Sequence, residues 1–476
     1  MKKILFGLSL SAIILTAVQC RKIEVDGTNN GGSGGGTGGG TGTSENLILE
    51  GRITENRTLR AANVYKLRGL VYVTNGAILT IEPGTKIVGE LNRQGGLIIT
   101  RSSKIIADGT ADKPIVFTSE ATTPVRGDWS GLVLLGNAPT NSSFNGVQGV
   151  GEIEGGVNNS DGLGLYGTPI TQAQNAADNS GILRYVRVEY AGYAFLPDKE
   201  INGITFGGVG NGTVVDYVQS SHAADDAIEW FGGTVNCKHI IAYKALDDDF
   251  DTDNGFSGRI QFGIAFRDSA VADVSNSNGF ESDNDANGSN LSPQTNSIFS
   301  NITLVGPRAA LTNIGNTYYR RGMHIRRNSA LSCYNSILMG WPTGFLLDAG
   351  AGTPTDLNIT AATPRSVFAN NILAGNNTQL SYSASATTPT GFTVADLTAY
   401  WNRPTGGNQI LANTSDVMLT APFKYDNTVD FNPATGSPAL TGASFTDTRL
   451  SLFAPVTYRG AAAGGDTWWK VWTKFM

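Results

Sequence analysis

The chain has 476 residues, 60 of them glycine, with 16% charged and 40% hydrophobic content. That is too apolar for a disordered chain and too glycine-rich for a helical one. Its 34 Lys+Arg against 40 Asp+Glu leave a net charge of −6, which gives no support to a nucleic-acid partner, and three cysteines exclude a dense disulfide scaffold.

Lys2 and Lys3 precede an apolar run from Ile4 to Val18, too short and wrongly flanked for a stable membrane span; this pattern predicts an export signal over residues 1–19. The run leads directly to Cys20 through Leu15, Ala17 and Gln19. It resembles a bacterial lipoprotein signal, in which the cysteine is acylated and becomes the first mature residue. The alternative is an ordinary secretory signal with an incidental cysteine. Lipidation at Cys20 implies attachment to a membrane through the N-terminal lipid, at a bacterial outer membrane or cell surface. Residues 20–44 then read as a Gly-, Thr-, Asn- and Ser-rich tether, with a mean reach of about 20–25 Å for its glycine-rich part.

From residue 45 onward, short β-rich runs alternate with Gly, Asn and Asp, at residues 69–74, 77–81, 96–100, 115–118, 131–135 and 182–190. Spacing decides between architectures. Ile204, Ile228 and Phe250 open three runs 24 and 22 residues apart, and Val214, Cys237 and Ile260 open a second series at steps of 23 and 23. Two strand series with one period predict an all-β right-handed parallel β-helix, a single-stranded solenoid of about 22–24 residues per turn whose turns stack at ~4.8 Å. A β-sandwich or a propeller is the alternative, although propeller blades need a longer repeat. The regular coil is expected over 45–348, with irregular final turns and an aromatic cap over 349–476. Cys237 and Cys333 read as buried rung residues about four turns apart, roughly 19 Å, too far for a disulfide. Trp468, Trp469, Trp472 and Phe475 are expected to cap the open end or pack laterally.

Chemistry concentrates between Asp225 and Asn287. With Ile228, Phe250 and Phe280 aligned inward, strand alternation turns Glu229, Asp251 and Glu281 outward in one column, puts Asp253 and Asp283 in a second, and sets Asp226 above Asp248. Carboxylates stacked at that interval repel one another unless neutralised. Oxygen-only ligands favour the hard cation Ca²⁺, with Glu229, Asp248, Asp249, Asp251, Asp253, Glu281, Asp283 and Asp285 as candidate ligands. The competing reading is a solvated acidic face with Asp and Asn as turn caps. Lys238, Lys244, Arg259 and Arg267 lie in or just beyond the same turns. One of them beside a cation-bridged acidic sugar would serve as the base of a β-elimination; two carboxylates on adjacent turns would instead serve glycoside hydrolysis. His222, His239 and His324 fall in unrelated contexts and suggest no zinc site or triad.

Residues 69–84, 127–132, 179–192, 229–233, 247–255 and 278–284 together resemble a widespread family of bacterial cell-surface proteins, frequent in Bacteroidetes, with a pectate-lyase-like right-handed β-helix. The likeness spans about residues 45–476. It implies the fold and a surface location, and the family has no settled biochemical role. Likeness to true pectate lyases implies acidic Ca²⁺ ligands on the helix flank plus a Lys or Arg base. Asp248, Asp249, Asp251 and Asp253 suit the first, whereas Lys244 and Arg259 match no specific catalytic motif. The resulting expectation is a surface lipoprotein whose Ca²⁺-stabilised β-helix binds a glycan or a protein; the alternatives are a Ca²⁺-dependent polysaccharide lyase or glycoside hydrolase, or a purely structural surface component.

Overall fold

The computed structural model describes residues 46–196, 199–313 and 315–476. The signal segment, Cys20 and the tether lie outside the described residues. Strand alternation is visible in Lys104–Asp108, whose residues 105 and 107 are buried while their neighbours are partly exposed. Because one such strand buries only one face, it needs a copy of itself above and below. Twenty-six strands provide this in one sheet, joined by parallel ladders.

The ladders form three faces. Face 1 stacks Lys86–Gly89, Ile115–Ser119 and the later halves of Gly181–Glu189, Val214–Ser221, Asn236–Tyr243, Arg259–Phe266 and Ile298–Val305, then Ile337–Met339, Ile372–Ala374 and Gln409–Leu411. Face 2 stacks the earlier halves of the same long strands with Lys104–Asp108 before them and Ser332–Tyr334 and Phe368–Ala369 after them. Face 3 runs Gly96–Ile99, Gly131–Leu135, Ile204–Gly207, Ile228–Phe231, Phe250–Asp253, Ser277–Ser282, Tyr319–Ile325, Thr343–Asp348 and Thr378–Ser383. Between faces 2 and 1 the pairing skips one left-handed residue, such as Tyr217 (φ 57°) or His239 (φ 47°). That turn lets Val215 and Val218 both reach the inner core although they are three residues apart. The fold is therefore the parallel β-helix the spacing predicted.

Inner positions such as Ile204, Ile228, Phe250, Phe280, Met323 and Phe345 form one core column. Burying each large apolar side chain contributes about 1.5–3 kcal/mol. The outer faces are covered unevenly. On face 1, Ile241, Tyr243, Ile264, Phe266, Ile337 and Ile372 are covered by Phe431, Trp469, Trp472 and Phe475. On face 3, Ile98, Val133 and Leu135 are covered by Ile153, Val157, Tyr166 and Ile201.

Two expectations change and a third is narrowed. The coil does not lose its regularity at residue 349, since all three faces gain further rungs, the last at Gln409–Leu411; excursions of unequal length between rungs hide the period in the sequence. Cys237 and Cys333 are buried and free, and they share one face 2 column through Ile260 and Phe299. They are thus three rungs apart, about 14 Å, because the turns from Ile260 to Phe299 and from Phe299 to Cys333 are both longer than the 23-residue step before them. Of the two placements expected for the aromatic tail, it takes the lateral one, on face 1. The end of the coil is instead covered by the helix Val394–Trp401, which inserts Leu397 and Trp401 into the inner core and opens with a capping box between Thr393 and Asp396. Among the described residues, no helix is long and apolar enough to cross a membrane.

Candidate functional site: a carboxylate cleft on face 3

Register fixes the outward column. Thr205, Glu229, Asp251, Glu281 and His324 are paired rung by rung. The earlier residues of this column, Ile98 and Val133, are sealed by apolar neighbours; the acidic stretch instead lines a cleft of about 710 Å³. Loops from elsewhere in the chain complete it, so that Glu154, Glu200, Asp225, Asp226, Glu229, Asp247, Asp248, Asp251, Asp273 and Glu281 face it, with Arg126 as the basic side chain in its lining among the described residues. Gly192 forms part of the wall. At φ 101°, and with a Cβ that would stand 2.5 Å from Ala224 N, that position accepts no side chain.

Three overlapping groups have ligand oxygens within 4.8 Å of one another: Asp225, Asp226 and Asp247; Asp226, Glu229 and Asp251; Asp248, Asp251 and Glu281. Burial first, then mutual repulsion, pushes Asp225, Asp226, Glu229, Asp248 and Asp251 well above the usual carboxylate range. Asp247 rises for the same reasons against one hydrogen bond from Ser275. Glu281 behaves oppositely. Burial alone would raise it, but His324 and Arg326 beside it hold it below its ordinary value; His324 Nδ1 lies 3.4 Å from Glu281, and His324 Nε2 lies 3.1 Å from Asp348. Asp251 Oδ1 and Asp247 Oδ1 are buried with no hydrogen-bond partner among the described residues.

Of the eight expected cation ligands, Glu229, Asp248, Asp251 and Glu281 meet in the cleft, and four stand outside it. Asp249 turns into the body of the protein, where its 2.9 Å ion pair with Arg267 is fully buried. Asp283 is held by Arg326 at 2.8 Å and Arg327 at 2.7 Å. Asp285 caps its own loop, accepting from Asn287 N, Ser289 N and Ser289 Oγ at 2.8–2.9 Å. Asp253 accepts from Asn254 N and is absent from the cleft lining.

The four expected bases are also displaced. Lys238 is exposed on face 2 and Arg259 opens a face 2 strand. Lys244, beyond face 1, donates to Met476 O at 3.0 Å. Arg267 is consumed by Asp249. Adjacency in sequence misleads here, because residues ten to fifteen apart lie on different sides of a coil. Sequence reasoning missed Arg126, Glu154, Glu200, Asp273 and His324. Only His324 carried a readable signal, since Met323 continues the inward column of Phe280.

The fold and cleft define a three-faced all-β solenoid with a carboxylate-lined opening on one flank. A family model described as a pectate-lyase-like β-helix domain matches residues 51–408, well over half of the chain, and the chain belongs to that family. Such a domain fits a protein that binds carbohydrate or acts on polysaccharide. Comparison with curated proteins and with solved structures gives no match.

Proposed function

We propose that the protein is a cell-envelope lipoprotein, anchored through Cys20, whose β-helix binds Ca²⁺ in the face 3 cleft and engages a surface glycan there. The observation that carries this reading is the lining itself, in which ten carboxylates stand against Arg126 among the described residues. That charge density favours a hard divalent cation, which would supply the positive charge to hold sugar hydroxyls or carboxylates. The test is binding to immobilised glycans in Ca²⁺ and in EDTA, with retention expected only in Ca²⁺. Retention that ignores the cation would overturn the proposal. Attachment is tested separately, by incorporation of labelled fatty acid into the wild type and its loss in Cys20→Ala.

A second reading, polysaccharide lyase, is favoured by Arg126. Its Nη2 donates to Lys244 O at 2.6 Å, and burial lowers its pKa, which favours the neutral guanidine, the form that could take a proton. Incubation with acidic polysaccharides in Ca²⁺ tests this: new absorbance from unsaturated ends, lost in Arg126→Gln, would support the lyase, and silence would leave binding as the function.

A further inference from the structure

Two asparagines behind the carboxylates are not explained by simple capping. Asn202 and Asn278 are 0% and 1% exposed. Asn202 Nδ2 donates to Glu229 Oε2 and, at 3.3 Å, to Glu154 Oε1. Asn278 Nδ2 donates to Glu281 Oε2 at 3.1 Å and to Asp248 Oδ2 at 3.4 Å. Both amide heads therefore sit within the acidic cluster. Each Oδ1 is nevertheless buried with no hydrogen-bond partner among the described residues, an arrangement that is costly unless something else takes the lone pairs.

The two asparagines divide the cluster. Asn202 stands with the group Asp226, Glu229 and Asp251, and Asn278 with the group Asp248, Asp251 and Glu281. Asp251 belongs to both. We infer that the cleft is a two-cation centre in which Asp251 bridges one divalent ion held by Asp226, Glu229 and Asn202 to a second held by Asp248, Glu281 and Asn278. This rests on the reading that the cleft binds divalent cations, and it adds how many ions bind and which residues divide them.

A primary amide suits this role because its two ends have opposite polarity. Without a cation, the NH₂ end donates to the surrounding carboxylates and softens their repulsion. With a cation present, a half-turn of the amide presents the oxygen as a ligand, so the lone pairs left without a partner in its absence gain one. A carboxylate shared between neighbouring rungs suits a bridging ligand, since bridged ions stand about 3.5–4 Å apart and rungs about 4.8 Å. The third group, Asp225, Asp226 and Asp247, has no buried side-chain amide hydrogen-bonded to it among the described residues and is not assigned an ion.

Calorimetric titration of the EDTA-stripped full chain with CaCl₂ tests the inference, with Tb³⁺ luminescence as a second readout. Two ions per chain are expected. Glu281→Gln and Asn278→Leu should each remove or weaken the same event, on the order of tenfold or more, while Glu229→Gln and Asn202→Leu do so for the other. Asp251→Asn should weaken both. Should either leucine variant fail to fold, the two isosteric glutamine variants carry the test alone. A single ion in the wild type, or one and the same event lost in Glu229→Gln and Glu281→Gln, would overturn the two-ion centre and leave single-ion binding standing. No binding of either probe would overturn both.

Discussion

Asp251 is paired in register with Glu229 on the next rung, and its Oδ1 is buried without a hydrogen-bond partner. Like charges directly opposite one another on neighbouring strands destabilise by roughly 0.2–1 kcal/mol. Asp251→Asn keeps the shape and removes one charge. It should therefore raise the melting temperature in EDTA slightly, by about 0.5–1 kcal/mol of stability, while reducing the gain on adding Ca²⁺. Thermal unfolding of both proteins with and without Ca²⁺ measures this. An equal loss in the two conditions would show Asp251 to be an ordinary structural residue.

The same charges set a pH dependence. Asp226 and its neighbours have folded-state pKa values raised above their ordinary ones, 3.8 for the aspartates. Above that value the unfolded chain has released protons that the folded cleft still binds, so stability falls as pH rises. His222 works the other way. Burial, then Arg126 and Lys244, lower its pKa to about 4, so its penalty appears as pH falls below 6.5. Between about pH 4.5 and 7, His222 opposes the six raised cleft carboxyls together with Asp249, Asp253 and Asp283, which are raised likewise. Glu281 and Asp348, held below their ordinary values, act mainly below that range. In EDTA, the melting temperature should decline from about pH 4.5 toward pH 7 and above. Ca²⁺ should flatten that decline, with its largest effect at the highest pH. A melting temperature that rises with pH in EDTA would contradict the raised values.

The column Glu229, Asp251, Glu281 was legible because two strand series share a period near 23, and alternation then decides which side chains face outward. Ile228, Phe250 and Phe280 align as those rules require. Glu154, Glu200 and Asp273 were not legible, because they reach the cleft on excursions that obey no period. Asp249, expected among the cation ligands, follows Asp248 in the turn and points the other way, where Arg267 meets it. The end of the coil was misplaced for a related reason, since long insertions between rungs disguised strands as late as Gln409–Leu411 as irregular chain.

Asp249 and Arg267 supply an internal control for the cleft. Both side chains are fully buried and 2.9 Å apart, and burial pushes Asp249 up to about 7 against the pull of Arg267. At pH 8, Arg267→Met leaves Asp249 buried without its partner and should cost about 3–5 kcal/mol. Adding Asp249→Leu should recover part of that loss, since the unpaired buried charge is then gone, although the Asn278 and Leu246 carbonyls still lack their Arg267 donor. Comparing the melting temperatures of the single and double variants decides it. A double variant no more stable than Arg267→Met would mean that the pair holds the turn by shape rather than by charge.

The C-terminal aromatics and the helix Val394–Trp401 cover different parts of the coil, so damage to each should appear in different places. Trp472 is 1% exposed, meets Tyr185 and Tyr217 edge-on at 5.9 and 6.1 Å, and accepts at its carbonyl from Arg187 Nη1 at 3.1 Å. Removing a buried tryptophan side chain costs about 3–5 kcal/mol. Trp472→Ala should therefore lose that much while leaving Ca²⁺ binding unchanged, because the cleft lies on face 3. Hydrogen exchange should speed up along face 1, in Asn236–Tyr243 and Arg259–Phe266. Trp401→Ala, at the end of the coil, should instead loosen Thr378–Ser383, the rung against which its helix packs. If Trp472→Ala loosened Thr378–Ser383 and spared face 1, the tail would be acting as an end cap after all.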